Sequence, residues 1–138
     1  QTQLLYRIFY MAHYALLNSA NVVMGVITGK DETDTSQNWE DYYGNFHNCV
    51  AKRTSYNTFK NQHSKGNTPF RGNYAGINST YFVEHDLFMP PKLYDSWSMV
   101  TADATWQAPS AEPTDGGMYN WNEDKQTWID ISGASAGG

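Results

Sequence analysis

Apolar residues along this chain fall in short clusters divided by turn formers rather than in long periodic stretches. Residues 13–17 and 22–28 are β-prone runs, and Asn18-Ser19-Ala20-Asn21 between them carries turn chemistry, so the pattern predicts an opening hairpin with a four-residue loop. Trp39, Tyr42, Tyr43 and Phe46 then recur at i, i+3, i+4 and i+7, the spacing of one helical face. Asp34, followed three residues later by Gln37, resembles a capping box and starts that helix directly. Gly44 costs the helix about 1 kcal/mol relative to Ala, so it is expected to be short and held by packing on a sheet.

Residues 50–56 read as a strand leading into residues 57–73, the longest loop, where no period survives. Loops beyond about 12 to 15 residues tend to be functional or disordered. Further on the chain becomes a series of hairpins: Tyr81-Phe82-Val83 with Leu87-Phe88-Met89, Trp97-Ser98-Met99 with Thr105-Trp106, and residues 118–121 with 127–131. Trp97 to Trp106 and Tyr119 to Trp128 share a spacing of nine residues, a weak internal repeat. Pro90-Pro91 and residues 109–117 are extended links, because proline does not fit a central strand.

The expected fold class is therefore mainly β (α+β): antiparallel hairpins with one short amphipathic helix, in a single domain whose C-terminal part is extended and hairpin-rich. Residues 11–80 form the hairpin-plus-helix core in this reading, residues 81–131 an aromatic hairpin region and residues 132–138 a flexible tail. Gln1 in place of Met, and Met11 opening the first strand, make residues 1–10 read as an N-terminal extension, left by processing or by translation from upstream of the natural start. The apolar run at residues 4–17 is broken by Arg7 and His13 and is not expected to be a signal peptide. No stretch approaches the roughly 20 apolar residues of a membrane span, so no membrane partner is expected.

Composition narrows this picture. The chain of 138 residues is long enough for one core, and its 15% aromatic content suits pleated, half-buried strands. A net charge of −5 argues against a general nucleic-acid binder, which needs surplus Lys and Arg to neutralise phosphate. Cys49, the lone cysteine, forms no intrachain disulfide.

Catalytic and cofactor chemistry find little purchase. His13, His47, His63 and His85 lack zinc-site spacing, and His47-Asn48-Cys49 reads as the end of the helix and the start of a strand rather than as a metal or nucleophile site. Gly72, Gly76, Gly116 and Gly117 do not compose a nucleotide-binding fingerprint. No catalytic residue, metal or cofactor is expected, and the chain is read as a non-enzyme. Asn78-Ser79-Thr80 matches a glycosylation acceptor. Hairpin tips such as Asn122-Glu123-Asp124 read as solvated turns.

Charge is more informative. No acidic residue lies between Asp41 and Glu84, while Lys52, Arg53, Lys60, Lys65 and Arg71, five of the nine basic residues, lie there with Tyr56, Phe59, Phe70 and Tyr74 interleaved. Such a segment is a candidate for contacts with an anion, single-stranded nucleic acid or a protein partner. The simpler reading is a solvated loop that balances acidic neighbours. Trp97, Trp106, Trp121 and Trp128 are candidates for a sugar-stacking surface or an association patch. Folding is the favoured account of most of them, because short hairpins poor in aliphatics must bury rings.

Met11-Ala12-His13, Tyr74-Ala75-Gly76-Ile77, Phe88-Met89-Pro90-Pro91-Lys92, Ser96-Trp97, Trp106-Gln107-Ala108-Pro109, Pro113-Thr114-Asp115-Gly116-Gly117-Met118-Tyr119, Trp121-Asn122-Glu123 and Trp128 follow one another in this order. Together they resemble a family of small proteins encoded by marine tailed phages, notably T4-like cyanophages and their relatives. The ordered string from Tyr74 to Trp128 is the specific part of that resemblance; residues 30–49 match poorly and residues 60–70 look like an insertion. The resemblance implies a viral origin and no particular mechanism. The expectation it supports is a virion-associated structural protein in the phage particle or host cytoplasm, with other virion proteins or its own copies as partners. The alternatives are an intracellular protein binding nucleic acid or a host factor through residues 52–71, and a carbohydrate-binding module.

Overall fold

The computed structural model describes residues 11–133. The expectations for residues 1–10 and for the end of the tail, residues 134–138, lie outside the described residues. Among the described residues the protein is mainly β, with one short helix and a series of antiparallel hairpins, as the polar and apolar pattern predicts.

Strands β1 (Ala12–Leu17) and β2 (Val23–Gly29) form the opening hairpin, and β3 (Val50–Thr54) pairs antiparallel with the other side of β1. The sheet order is β2-β1-β3. The loop follows from Asn18, whose side-chain oxygen accepts the Ala20 and Val22 N–H groups at 2.8 and 3.0 Å, and from Asn21, which takes a left-handed φ of 62°. A register shift lies between Leu16 and Leu17. Ala15 and Leu17 face one side of the sheet, where they bury against Val23, Ala75, Tyr81 and Phe88. Tyr14 faces the other side, its ring 4.8 Å from that of Tyr43.

Tyr43 belongs to helix α1 (Trp39–Phe46), which departs from expectation in two ways. Asn38, not Asp34, is the N-cap, its side chain accepting the Asp41 N–H at 3.0 Å. Asp34 instead closes a local turn on Ser36 N–H at 3.0 Å, while its carbonyl accepts the Trp39 indole at 3.1 Å. Asn caps as well as Asp and stands next to the helical run, whereas Asp34 satisfies itself locally, so the capping box does not form. The second departure is the buried face. Tyr42 and Phe46 are exposed, and the residue that docks the helix is Gly44, fully buried against β3. A Cβ there would stand 2.7 Å from the Cys49 carbonyl oxygen. The aromatic period marks the helix correctly but only part of the face that packs: Trp39 and Tyr43 are half-buried, Tyr43 against Tyr14, while Tyr42 and Phe46 are left outside.

Residues 57–73 are not featureless. Strands β4 (Thr58–Phe59) and β5 (Gln62–His63) form a minimal hairpin whose turn residues, Lys60 and Asn61, have φ of 50° and 56°, the signature of a tight two-residue turn. The segment ends at Gly72, with φ of 76°, where a Cβ would meet Leu87 Cδ2 and Ala104 Cβ at 2.8 Å.

The hairpins β6 (Thr80–Phe82) with β7 (Leu87–Met89), β8 (Ser98–Val100) with β9 (Thr105–Gln107) and β10 (Tyr119–Asn122) with β11 (Thr127–Asp130) share one plan. Tyr81 pairs with Phe88, Met99 with Trp106 and Trp121 with Trp128. Each loop ends on a left-handed residue, Asp86, Ala104 or Gln126, with φ of 50° to 52°. The nine-residue spacing expected for the last two hairpins is this plan, and β6–β7 is a third instance of it.

Two compact units are distinguished within the chain. The first runs to Pro91 and includes Thr101–Ala104; the second comprises Lys92–Val100 and the residues from Thr105 onward. Tyr81 and Phe88 complete the core of the first sheet, and β6–β7 belongs to the first unit. In the second unit Trp97, Trp121 and Trp128 pack on one another with ring centroids 5.2 to 6.2 Å apart.

Candidate functional site

The basic segment is where the sequence concentrates its chemistry, and in the first unit two of its five cations are bound to carboxylates from outside it. Arg71 enters from the residue before Gly72 in a left-handed conformation, φ 53°, with its side chain only 13% exposed. Its guanidinium donates to Glu40 Oε2 at 2.7 Å, to Asp86 Oδ1 at 2.8 Å and to the Arg53 carbonyl at 2.9 Å. Glu40 Oε2 also accepts the Arg53 backbone N–H at 2.7 Å. The Arg53 side chain pairs with Glu32. Phe70 carries both guanidinium groups, Arg53 at 4.0 Å and Arg71 at 4.7 Å from its ring centroid.

The electrostatics follow from this saturation. Burial opposes charge on Glu40, but the hydrogen bond from Arg71, the Arg53 N–H and the positive charges of Arg71 and Lys52 outweigh it and hold its carboxyl below the ordinary range. Burial likewise works against the Arg71 cation, and its bond and charge contact with Glu40 and the Asp86 charge overcome that and raise its pKa. Tyr81 is pushed up to about 12 by burial and by donating its hydroxyl to Asp86. Glu32, Glu40, Arg53, Phe70 and Arg71 line part of an open groove of about 590 Å³, together with Trp39, Asp34 and Tyr14. Three carboxylates, Glu32, Glu40 and Asp86, pair with the two guanidinium groups of Arg53 and Arg71, so the ion-pair cluster carries no surplus of positive charge for an anion.

Of the remaining basic candidates, Lys52 borders that cluster, while Lys60 and Lys65 lie in the β4–β5 turn and the turn after β5. Lys52 lies half-buried on β3 with its ammonium 5.7 Å from the Tyr81 ring centroid. Lys60 is exposed in the β4–β5 turn, 5.4 Å from the Phe59 ring centroid, and Lys65 is exposed in the turn after β5, its N–H donating to His63 Nδ1 at 3.0 Å.

Among the tryptophans, Trp121 is buried while Trp97, Trp106 and Trp128 are half-buried. Trp121 donates to Glu123 Oε1 at 2.8 Å, and Ser96 bonds both oxygens of that carboxylate, through its hydroxyl at 2.7 Å and its N–H at 3.0 Å. These bonds hold the Glu123 carboxyl below its ordinary range. Glu123, expected as a solvated tip, is thus a brace for the Trp cluster. Trp128 donates to the Ser110 carbonyl at 2.8 Å, and Lys92 sits 5.5 Å from the Trp106 ring centroid. The rings hold one another rather than forming a flat open platform.

Sequence reasoning missed three organising residues. Glu40 and Glu123 sit among ordinary surface-type charges, and Asn73 closes a loop read as irregular. Buried Asn73 donates its amide to the Phe88 and Ala104 carbonyls at 2.8 and 3.0 Å and accepts the Lys60 N–H at 2.9 Å. No local spacing signals such bonds, because every partner is at least 13 residues away. His47 and Cys49 end the helix and precede β3 as expected, with Cys49 N–H donating to the Gly44 carbonyl at 2.9 Å. Among the described residues no group of three or more His, Cys, Asp or Glu is arranged to hold a metal.

No protein-family model, curated protein or solved structure matches the chain.

Proposed function

We propose that the chain is a non-enzymatic, virion-associated interaction protein of a marine tailed phage, a decoration, tail or fibre-linked component that works through protein contacts. The observation that carries this reading is the outward display of large apolar side chains. Phe46, Tyr56, Phe59, Ile77, Val83, Leu93 and Met118 are each more than 60% exposed, on the helix end, on hairpins and on their flanking segments. Rings and aliphatics held in water this way suit docking on other proteins. The ordered string from Tyr74 to Trp128, which resembles marine phage proteins, supplies the setting. Mass spectrometry of purified particles of the parent phage detects the chain if the reading is right; its absence from particles refutes it.

The alternative of nucleic-acid binding through residues 52–71 has less support, because Arg53 and Arg71 already satisfy internal carboxylates. The carbohydrate alternative is likewise weakened by the mutual packing of Trp97, Trp121 and Trp128.

A further inference from the structure

We infer that Asp115 in the second unit is a site of backbone isomerisation to isoaspartate, and that the Tyr119 hydroxyl is the brake on it. Asp115-Gly116 is the one place in the sequence where glycine follows an aspartate or an asparagine. Glycine matters there because the nitrogen of the following residue must reach the side-chain Cγ, and a Cβ on that residue stands in the way. Asp115, Gly116 and Gly117 are all exposed, and Gly116 has a φ of 86° with no atom within 4 Å of the place a Cβ would take.

The two reacting groups are held differently. Among the described residues the Gly116 N–H has no hydrogen-bond partner, so its nitrogen is free to turn towards Cγ. Where serine follows an acid or amide, the nitrogen is tied: Ser96 N–H, after Asp95, donates to Glu123 Oε2 at 3.0 Å, and Ser79 N–H, after Asn78, donates to the Gly76 carbonyl at 3.0 Å. The Asp115 carboxylate, by contrast, is fixed at both oxygens. Oδ1 accepts the Gly117 N–H at 2.9 Å, and Oδ2 accepts the Tyr119 hydroxyl at 2.7 Å. The Tyr119 ring closes over this loop, where a Cβ on Gly117 would stand 3.0 Å from Tyr119 Cε2.

The reaction is a dehydration followed by a hydrolysis. Gly116 N attacks Asp115 Cγ, the N–Cγ bond forms, and one carboxyl oxygen leaves as water with the amide proton and the carboxyl proton. Water then adds to one of the two carbonyls of the resulting succinimide. Breaking N–Cγ returns aspartate; breaking the bond from N to the main-chain carbonyl carbon leaves isoaspartate, with the main chain rerouted through Cβ and Cγ. The first step needs a protonated carboxyl, because an ionised one has no water to expel. The Gly117 N–H and the Tyr119 hydroxyl both bond the ionised form and hold the Asp115 carboxyl below its ordinary range, which slows that step. Donation to Asp115 in turn pushes the Tyr119 hydroxyl up to about 12, so it stays protonated and donating through the neutral range. Isomerisation then destroys the brake: Cγ becomes a main-chain carbonyl, and Tyr119, the first residue of β10, loses the carboxylate it was bonded to.

The test is prolonged incubation of the folded, full chain at neutral pH, with isoaspartate at Asp115 measured by peptide mapping and electron-transfer fragmentation. Isoaspartate should accumulate at Asp115 in the wild type. It should accumulate severalfold faster in Tyr119→Phe, which keeps the ring and loses only the donor. In Gly116→Ala it should form much more slowly, because the new Cβ shields the nitrogen and meets no other atom within 4 Å. A wild-type chain without isoaspartate at Asp115, after a period in which the guanidinium-unfolded chain has converted, overturns the inference. So does a Tyr119→Phe variant no faster than wild type, or a Gly116→Ala variant as fast as wild type.

Discussion

Replacing Glu40 by Gln tests whether the ion-pair network holds the first unit together. Glu40 Oε2 receives two charge-assisted or backbone donors at 2.7 Å, and its partner Arg71 is 13% exposed at the side chain, so the pair is largely removed from water. Stripping one member of a buried pair costs about 3 to 5 kcal/mol, because the remaining charge is stranded. Arg71 keeps Asp86 at 2.8 Å, and the Gln amide can still accept one N–H, so the loss is placed lower, at about 2 to 3 kcal/mol. For a chain of this length that is a fall in Tm of roughly 5 to 10 °C. Glu32→Gln is the internal control: Glu32 is 58% exposed at the side chain and its pair with Arg53 is worth less than about 1 kcal/mol. Urea unfolding followed by tryptophan fluorescence measures both. Because the folded carboxyl of Glu40 titrates below its unfolded value, its contribution is present above the ordinary carboxylate range and is lost as pH falls through the folded pKa. Wild type should therefore lose stability below about pH 4, and Glu40→Gln should show a shallower acid slope. Equal costs for the two variants, with equal acid slopes, would refute the reasoning.

Gly44→Ala should destabilise by about 1 to 3 kcal/mol despite the better helix propensity of Ala, since the new Cβ lands 2.7 Å from the Cys49 carbonyl oxygen; a thermal melt at or above the wild-type Tm would contradict this. Asn73→Ala leaves two carbonyls and the Lys60 N–H without their partner and should cost about 3 kcal/mol in equilibrium unfolding, and Asn73→Asp should cost at least as much, because it sets a buried carboxylate oxygen against the Phe88 and Ala104 carbonyls. Trp121→Ala removes the buried ring of the second unit at about 3 kcal/mol, and hydrogen exchange should speed up in β10 and β11 while β1 to β3 stay protected.

Much of the fold was readable along the chain because it is built from local pairings. Every hairpin joins runs separated by a few turn residues, and Asn18, Asn21, Asp86 and Gln126 set their loops through their own backbone preferences or side chains. The nine-residue spacing of aromatic residues reported the hairpin plan of β8–β9 and β10–β11, and the i, i+3, i+4, i+7 rings reported α1. What a period cannot report is which face finds a partner. The helix docks through Gly44 because backbone approach, not ring area, sets its distance from β3, and that distance exists only once β3 is in place.

The candidate basic segment illustrates the same division. Its composition, five cations without an acid, is a property of the sequence, and so is the aromatic interleaving. Whether those cations are available is decided in three dimensions, by Glu32 and Glu40 from before the segment and Asp86 from beyond it. Asn73 joining Lys60, Phe88 and Ala104, and Ser96 bonding Glu123, belong to the same class: hydrogen bonds between residues far apart, invisible to any window of neighbours. By itself, the sequence determined the hairpins, the helix, the aromatic character and the distribution of charge, because each depends on neighbours along the chain. Only the tertiary structure decided which charges are spent on folding and which rings are buried, because those depend on contacts that close loops of many residues.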